Sequence, residues 1–295
     1  MIDEDANKTH LRIRSWLCAS ALKSDLALKA SQVSADIAHL DLEDAVPDAL
    51  KDKARLTLPE FFATPRSVPV ALRINPLQTL DGLRDLLFVA ENGLSPDVLI
   101  LAKITVPGDI SQARAVMDQA GQVGVRLFGA VESVRTLWDL RSAQHLPGLD
   151  GLIFGAADFA AEVGVSLEDN DFAAIRQEIV LIARRLGVAA IDAPCFRLDS
   201  EAALMDELRL ARRVGFDGKI AIHPAQVAAI NASFEPTEND LDKAREILRM
   251  YEEDPQNVAF RFDGAMVGPP FIRRARRLLQ TSSESHSQRP RRGFE

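Results

Sequence analysis

Short apolar stretches alternate with helix-like stretches along most of the chain, and this alternation constrains the fold more than any other feature. Eight such pairs fit between Arg14 and Ile222. The apolar stretches have few polar positions, as parallel strands must when helices cover both faces of their sheet. The pattern predicts a (β/α)8 TIM barrel, for which about 250 residues is typical. The predicted strands are 14–19, 40–43, 68–74, 97–103, 125–132, 150–154, 188–192 and 219–222.

A doubly wound open sheet is the alternative reading of the same alternation. That fold would carry a glycine-rich phosphate loop after its first strand, whereas the residues there are Ala19, Ser20 and Ala21. No Walker-type phosphate loop occurs elsewhere in the sequence. The barrel is therefore the favoured fold.

The chain continues past the predicted barrel with helix-like stretches at 239–252 and 270–279, separated by a short apolar stretch at 258–262. These form a predicted C-terminal helical appendage. The last residues are rich in Ser, Gln and Arg and almost devoid of apolar side chains, which is typical of disorder. The predicted organisation is a catalytic barrel domain at 1–233, an appendage at 234–280 and a disordered tail at 281–295.

Charge and composition exclude several classes of function. The formal net charge of −8 disfavours a broad nucleic-acid surface. The acidic N-terminus lacks the apolar core of a signal peptide, and no apolar run reaches the roughly 18 residues of a membrane helix. Cys18 and Cys195 are far apart and show no metal-binding spacing. We therefore expect a cytoplasmic protein with neither nucleic-acid nor membrane partners.

Charged and polar residues recur where the predicted strands end, which in a TIM barrel is where catalytic side chains lie. Asp158 stands in a predicted turn that starts at Gly155, just after the sixth strand. Inward-facing structural ion pairs explain Asp41 and Lys103 best, and Asp192 stays open between a structural and a functional role. The whole set is Asp41, Glu43, Asp44, Arg73, Asn75, Lys103, Glu132, Asp158, Asp192 and His223.

Glu132 and Asp158 together suggest a Mg²⁺ site. Glu132 ends an apolar strand, where an unpaired carboxylate would be costly. A hard dication takes oxygen ligands, commonly one or two carboxylates completed by water and substrate oxygens. Glu43 and Asp44 could hold the waters of such an ion. Arg73 offers a planar fork for the carboxylate of a 2-oxo acid.

Six motifs occur in order along the chain and together resemble the citrate lyase β-subunit-like and malyl-CoA lyase family. They are DLEDAV at 41–46, RIN at 73–75, the VES glutamate Glu132, the GAADF aspartate Asp158, FDGK at 216–219 and IHPAQ at 222–226. The resemblance runs from Arg14 to about Leu279. It implies a TIM barrel that cleaves or forms a carbon–carbon bond beside a CoA-thioester carbonyl. It also implies a homo-oligomer, either a trimer or a hexamer.

The resemblance further implies roles for individual residues. Glu132 and Asp158 would hold Mg²⁺, and Arg73 would bind the 2-oxo acid. Glu43 and Asp44 would order the water shell of the metal. The substrate-binding set implied for this chain is Arg73, Glu132, Ala156 and Ala157. Its small-molecule partners would be a 2-oxo acid and a CoA thioester.

One departure from the family pattern concerns proton transfer. The C-terminal GxMVD motif of the family, whose aspartate handles the proton on the acetyl-CoA carbon, here begins at Gly264 and ends in Gly268. The residues implied to hold the metal, Glu132 and Asp158, are therefore present, whereas the aspartate implied for proton transfer is replaced by Gly268.

Three hypotheses follow. The first is a Mg²⁺-dependent lyase that cleaves or forms a 3-hydroxyacyl-CoA such as malyl-, citramalyl- or citryl-CoA. The second is a hydroxyacyl-CoA thioesterase, or an aldolase independent of CoA, on the same metal site. The third is a non-catalytic subunit that binds oxo acids. Gly268 weighs against the first, and the retention of Glu132, Asp158 and Arg73 weighs against the third.

Overall fold

The computed structural model describes residues 11–23, 25–254 and 259–287, and its larger unit is a closed eight-stranded barrel. The strands pair in parallel in chain order, and the eighth closes onto the first. The predicted TIM barrel is confirmed. The strands are β1 Ser15–Ser20, β2 Ile37–Asp41, β3 Val70–Ile74, β4 Val98–Leu101, β5 Arg126–Val131, β6 Gly151–Phe154, β7 Ala189–Asp192 and β8 Gly218–Ala221.

Nine helices follow the strands in the described part of the barrel unit. They are α1 Leu26–Gln32, α2 Lys51–Ala63, α3 Leu80–Glu91, α4 Gly108–Gln119, α5 Val134–Ser142, α6 Ala156–Val163, α7 Ala173–Leu186, α8 Glu201–Val214 and α9 Pro224–Phe234. A short 3-10 turn, Asp48–Leu50, precedes α2. The predicted turn at 155–158 was wrong, because Gly155 is instead the N-cap of α6. The sequence predicts Ser24 as the N-cap of the first helix, and this residue lies outside the described residues.

Aromatic rings fill the middle of the barrel. Trp16 of β1 contacts Phe128 of β5 across the interior, with ring centroids 5.2 Å apart. A Cβ atom on Gly151 would lie 2.1 Å from the Phe128 ring, so only glycine leaves room for that ring. His39 of β2 meets Trp16 edge to face at 6.3 Å. Inward positions therefore alternate along each strand, and those nearest the carboxyl ends line the barrel mouth.

The other face of each strand packs against the surrounding helices. Leu17, Leu40 and Leu72 are all at most 3% exposed and belong to the outer hydrophobic core. Because both faces of the sheet are buried, the alternation of Leu and acidic residues at 40–43 does not separate a dry face from a wet one. Strand β2 ends at Asp41, so Glu43 lies in the loop that follows rather than in the strand as predicted.

Residues 11–12, 235–254 and 259–287 form a second compact unit. It contains α10 Glu238–Glu253, the antiparallel pair β9 Phe260–Phe262 and β10 Ala265–Val267, and α11 Pro269–Ser287. Thr237 and Asp240 form a capping box that starts α10. The described chain divides between Phe234 and Glu235, and residues 11–12, which lie within the predicted barrel domain 1–233, belong to the second unit.

Helix α11 ends at Ser287, about two turns beyond its predicted end at Leu279. The predicted disordered tail at 281–295 therefore begins inside a helix, and residues 288–295 of that prediction lie outside the described residues. Within the described chain, no helix combines the length and the apolarity needed to cross a membrane. The N-terminal residues 1–10, for which no signal peptide was predicted, also lie outside the described residues.

Candidate functional site

The barrel mouth gathers most of the predicted site residues into one group, here called the mouth cluster. Its members are Asp41, Glu43, Asp44, Glu132, Asp158, Arg73 and Lys103. Five of these side chains are carboxylates and two are cations, so the cluster carries a net negative charge when all are ionised. Such an excess in a partly buried place favours the binding of a further cation.

Arg73 is the organising cation of this cluster. Its Nε and Nη2 atoms donate to the carboxylate of Asp41 at 2.8 and 2.6 Å. Its Nη1 atom lies 2.7 Å from Glu43 and 3.5 Å from Glu132. The two-atom edge predicted for a substrate carboxylate thus holds Asp41, and Nη1 is the atom that faces Glu43 and Glu132. Asp41 is therefore part of a structural pair, as its sequence position suggested.

The electrostatics of Asp41 follow from this pair. Burial alone would raise the pKa of Asp41, but the charge and hydrogen bonds of Arg73 outweigh burial and lower it. Asp41 also accepts from the backbone N–H groups of Glu43 and Ala45 at 2.8 and 3.0 Å. Asp41 therefore stays ionised and fixes the loop that carries Glu43 and Asp44.

Glu43 is buried, with 3% exposure, and is incompletely bonded. Its oxygens lie 2.7 Å from Arg73 Nη1 and 2.9 Å from Lys103 Nζ, but neither contact has hydrogen-bond geometry. Burial raises the pKa of Glu43, while Arg73 opposes that rise. Lys51, which sequence reasoning missed, donates to the Leu42 and Glu43 carbonyl oxygens at 2.9 and 2.6 Å and anchors the loop from below.

Glu132 directly follows β5 and points into the mouth. One of its oxygens accepts from the backbone N–H of Lys103 at 2.7 Å. Burial, and next the charge of Glu43, raise the pKa of Glu132 to about 7. A Cβ on Gly155 would lie 2.1 Å from Glu132 Cγ, so the glycine after β6 provides the space that the glutamate occupies.

Asp158 reaches the mouth from the first turn of α6, where its charge suits the helix dipole. Its carboxylate lies 3.2 Å from Lys103 Nζ. Ala156 and Ala157 are the first two residues of the same helix, whose first N–H groups have no partner within the helix. These N–H groups suit an anion, so the predicted role of both alanines in substrate binding stays a prediction with a physical basis.

The residues present fit a magnesium ion. Their possible ligand atoms are all carboxylate oxygens, the cluster carries excess negative charge, and the two oxygens of buried Glu43 contact Arg73 and Lys103, at 2.7 and 2.9 Å. Among the described residues, no three His, Cys, Asp or Glu side chains form a complete metal-ligand set. Mg²⁺ does not need one, because it commonly takes one or two carboxylates and completes its octahedron with water and substrate oxygens.

Three other predicted residues have structural partners. Asn75 accepts from Lys51 and donates to Asp85, at 2.9 and 2.7 Å. His223 accepts from the N–H of Ala225 at the start of α9, at 3.2 Å. These contacts explain both residues without a catalytic role.

Asp192 is the third, and it faces the helices rather than the mouth. Its carboxylate accepts from Arg176 at 2.8 Å and from Lys219 at 2.7 Å. Both Asp192 and Lys219 are fully buried. The question that the sequence left open for Asp192 is thus answered in favour of a structural pair.

Cys18 and His39 lie beneath the mouth cluster and were missed as site residues. They are paired neighbours in β1 and β2, and both face inward. Both nitrogens of His39 lack a hydrogen-bond partner, and burial followed by the charge of Arg73 lowers its pKa to about 3. Burial followed by Asp41 raises the pKa of the Cys18 thiol to about 12. Counting back two residues from Asp41 would have placed His39 on the inward face.

Comparison with known proteins adds to this geometry. The family model described as HpcH/HpaI aldolase/citrate lyase matches residues 14–224, which is most of the barrel unit. The chain belongs to this family. A second model, described as a C–C bond lyase of the TIM-barrel fold, matches residues 169–283.

Named relatives cover nearly the whole chain. A citrate lyase subunit beta-like protein of Deinococcus radiodurans is 29% identical over 90% of this chain and 96% of its own length. The mitochondrial citramalyl-CoA lyase of Homo sapiens is 28% identical over 85% of this chain and 80% of its own length. Family membership and these relatives make the protein a carbon–carbon lyase.

Two solved structures share its fold. CitE from Mycobacterium tuberculosis, in complex with magnesium, acetoacetate and coenzyme A, has a TM-score of 0.77 and 28% identity, covering 92% of this chain and 98% of that one. RipC from Yersinia pestis has a TM-score of 0.64 and 35% identity, covering 78% of this chain and 99% of that one. Magnesium thus binds to a protein related to this chain.

Proposed function

We propose that the protein is a Mg²⁺-dependent lyase that cleaves, or forms, a 3-hydroxyacyl-CoA such as malyl-, citramalyl- or citryl-CoA. The products of cleavage are a 2-oxo acid and a shorter acyl-CoA. The observation that carries the proposal is the excess negative charge of the mouth cluster, in which Glu132 lies 3.5 Å from Arg73 and Asp158 lies 3.2 Å from Lys103. A balanced structural network would have no such excess.

The residues of the mouth would divide the work as follows. Glu132 and Asp158 would hold Mg²⁺, which when bound acts as a Lewis acid on the oxygen of the oxo acid. Arg73 Nη1 and the first N–H groups of α6 would bind the oxo-acid carboxylate. Glu43, with its oxygens free of hydrogen bonds, would hold an ordered water together with the half-exposed Asp44.

Cleavage also requires proton transfers. The hydroxyl proton of the substrate must leave, and the enolate of the departing thioester must be stabilised and then protonated. Gly268, which lies between β10 and α11, cannot supply this second proton as the aspartate of the family pattern does. In this proposal the oxo-acid half of the reaction uses residues of the mouth cluster, and the thioester half needs another acid.

Hydrolysis of a hydroxyacyl-CoA thioester is the second candidate, and Gly268 is the observation that favours it. A thioesterase would use the same cation and oxo-acid pocket without protonating a carbon atom. A CoA-independent aldolase would still have to protonate an enolate carbon, but not the carbon of a CoA thioester that the missing carboxylate serves in the family pattern. A homo-oligomer, trimeric or hexameric, belongs to the proposal and is tested by light scattering of the full chain.

One experiment separates the candidates. The protein is incubated with Mg²⁺ and a panel of hydroxyacyl-CoA esters, and the products are identified by mass spectrometry. An oxo acid with a shorter CoA ester supports the lyase. Free CoA with an intact hydroxy acid supports the thioesterase. A panel without any turnover, from a protein that still binds oxo acids, would support a non-catalytic binding subunit.

A second experiment restores the missing group. Gly268→Asp should raise cleavage by about 10²–10⁴-fold if the absent general acid limits the rate. It should also speed solvent exchange at the methyl group of acetyl-CoA. Circular dichroism and light scattering check the fold and assembly of the variant. A normally assembled Gly268→Asp protein without any gain in cleavage or exchange would count against the lyase.

A further inference from the structure

Lys103 has an unusual backbone conformation. Its φ angle is +47°, in the left-handed region that a side chain with a Cβ rarely adopts. Its backbone N–H donates to Glu132 at 2.7 Å. The next residue is held as well, because the hydroxyl of Thr136 donates to the Ile104 carbonyl oxygen at 2.8 Å. The strained residue is thus fixed against one of the two proposed metal ligands, and such strain often marks a functional position.

The side chain of Lys103 contacts the other proposed ligand. Its ammonium lies 3.2 Å from Asp158, 2.9 Å from Glu43 and 3.9 Å from Asp44. Burial disfavours the charged form, but Glu43 and Asp158 more than offset burial and raise the pKa of Lys103. The side chain keeps 40% of its surface exposed, so its long stem has room to move toward the opening.

One ammonium therefore contacts Asp158, which a divalent cation would also use, and Glu43, which would hold water next to that cation. Two cations near the same oxygens repel each other, and at a partly exposed site salt screens this repulsion only in part. A metal ion that enters must displace the ammonium from Asp158 or bind against its charge. Either way, Lys103 lowers the affinity of the metal-free protein for the ion.

We propose that Lys103 is a positioning residue that couples metal binding to oxo-acid binding. Its ammonium competes with the metal for Asp158, and once displaced it pairs with the carboxylate of the incoming 2-oxo acid. The metal alone consequently binds weakly, and the metal with an oxo acid binds tightly. This inference rests on the metal site of the proposed function and is independent of the lyase reaction.

The test measures Mn²⁺ affinity by electron paramagnetic resonance, with and without pyruvate, in the parent protein and in Lys103→Met. Methionine keeps the length of the side chain and removes its charge. We expect Lys103→Met to bind Mn²⁺ about tenfold more tightly without pyruvate, a change equal to about 1.4 kcal/mol. We also expect pyruvate to improve Mn²⁺ affinity less in this variant than in the parent.

Two controls isolate the charge at this position. Lys53→Met removes one positive charge from the exposed face of α2 and should leave Mn²⁺ affinity unchanged. Lys103→Arg keeps the charge and should not tighten Mn²⁺ binding. If Lys103→Met does not fold, Lys103→Gln replaces it under the same expectation.

The outcomes are distinct. Mn²⁺ affinity that is equal or weaker in Lys103→Met overturns the competition. Tightening with an unchanged effect of pyruvate overturns the pairing with the oxo acid. Equal tightening in Lys53→Met or Lys103→Arg overturns the assignment to the charge of Lys103. A parent protein that binds no Mn²⁺ even with pyruvate overturns the metal site of the proposed function itself.

Discussion

Two groups of buried charges stand at strand ends of the same barrel, and they differ in balance. The outer network consists of Asp192, Glu207, Arg176 and Lys219, with two carboxylates against two cations. The mouth cluster has five carboxylates against two cations. The first network is balanced by its own side chains, whereas the second carries excess negative charge, which a bound cation would offset in the proposed function. The balance between carboxylates and cations, more than burial, separates the structural group from the proposed binding group.

Strand geometry decides which group a residue joins. Asp192 is the last residue of β7 and points toward the helices, where Arg176 of α7 and Lys219 of β8 meet it. Glu132 follows the last residue of β5 and points inward, where other carboxylates converge. A shift of one residue along a strand would exchange these environments, because neighbouring side chains face opposite sides.

The largest expected effect is the loss of turnover when a carboxylate of the mouth cluster is replaced. Glu132→Gln should abolish Mg²⁺-dependent turnover, because loss of a ligand should cost more than the roughly 10–100-fold that loss of an outer-shell partner costs. The metal-free variant should be at least as stable as the parent, since a buried charge is removed from among like charges. Turnover assays and urea unfolding measure both effects, with Glu91→Gln on the exposed face of α3 as the control. Full activity of the parent in excess chelator would refute the premise.

Replacing a carboxylate of the outer network should instead lower the stability of the protein. Asp192→Asn leaves Arg176 and Lys219 buried without their carboxylate, so unfolding should become easier by about 3–5 kcal/mol. Burial would raise the pKa of Asp192, but Lys219 and Arg176 lower it. Its stabilisation is therefore present above the unfolded-state pKa of about 3.9 and is lost as the pH falls toward the folded value.

Urea unfolding of Asp192→Asn at neutral pH checks this expectation. The matched control is Asp206→Asn, which removes the partner of Arg209 in an exposed pair on α8 and should change stability by at most about 1 kcal/mol. A cost for Asp192→Asn no larger than that of the control would place the outer network among weak surface pairs.

Arg73 offsets the charge of carboxylates in the mouth cluster and is also the side chain proposed to bind the 2-oxo acid. Arg73→Lys should weaken the binding of pyruvate or glyoxylate roughly tenfold or more, because a point charge cannot hold Asp41 by two bonds and also face the oxo acid. Titration calorimetry in the presence of Mg²⁺ measures the loss. If the lysine variant binds both acids as tightly as the parent, Arg73 serves only to hold Asp41.

The smallest expected effect concerns the space behind Glu132. Gly155→Ala would place a methyl group 2.1 Å from Glu132 Cγ, so the glutamate must shift within the mouth. Mn²⁺ affinity should fall several-fold, less than in Glu132→Gln, because the carboxylate is displaced but retained. Gly124→Ala is the control, since a Cβ there meets nothing within 4 Å. Equal Mn²⁺ affinity in both variants would show that the mouth tolerates the shift.

Much of this architecture could be predicted from the sequence, because period and strand order are local properties. The apolar stretches gave the eight strands, and the barrel rule brought Glu132 and Asp158 together although they lie on different strands. The direction of each side chain could not be predicted as well. Asp192 and Glu132 both end apolar stretches, and a boundary error of one residue reverses the face.

Contacts between side chains that are distant in the sequence also could not be predicted. The sequence indicated a fork at Arg73, but nothing local showed that Asp41 would occupy its two-atom edge. Lys51 was missed for the same reason, because its partners Leu42, Glu43 and Asn75 come from two other segments. Such bonds depend on how helices dock on the sheet.

The ring at the centre of the barrel also gives the protein an optical probe. The chain has two tryptophans, Trp16 and Trp138. Trp16 is fully buried below the mouth, whereas Trp138 is 56% exposed with Arg141 stacked 4.2 Å from its ring centre. An aqueous quencher such as iodide should therefore extinguish the emission of Trp138 and spare that of Trp16. The remaining blue-shifted fluorescence would respond to ligands that bind at the mouth above Trp16, without any label.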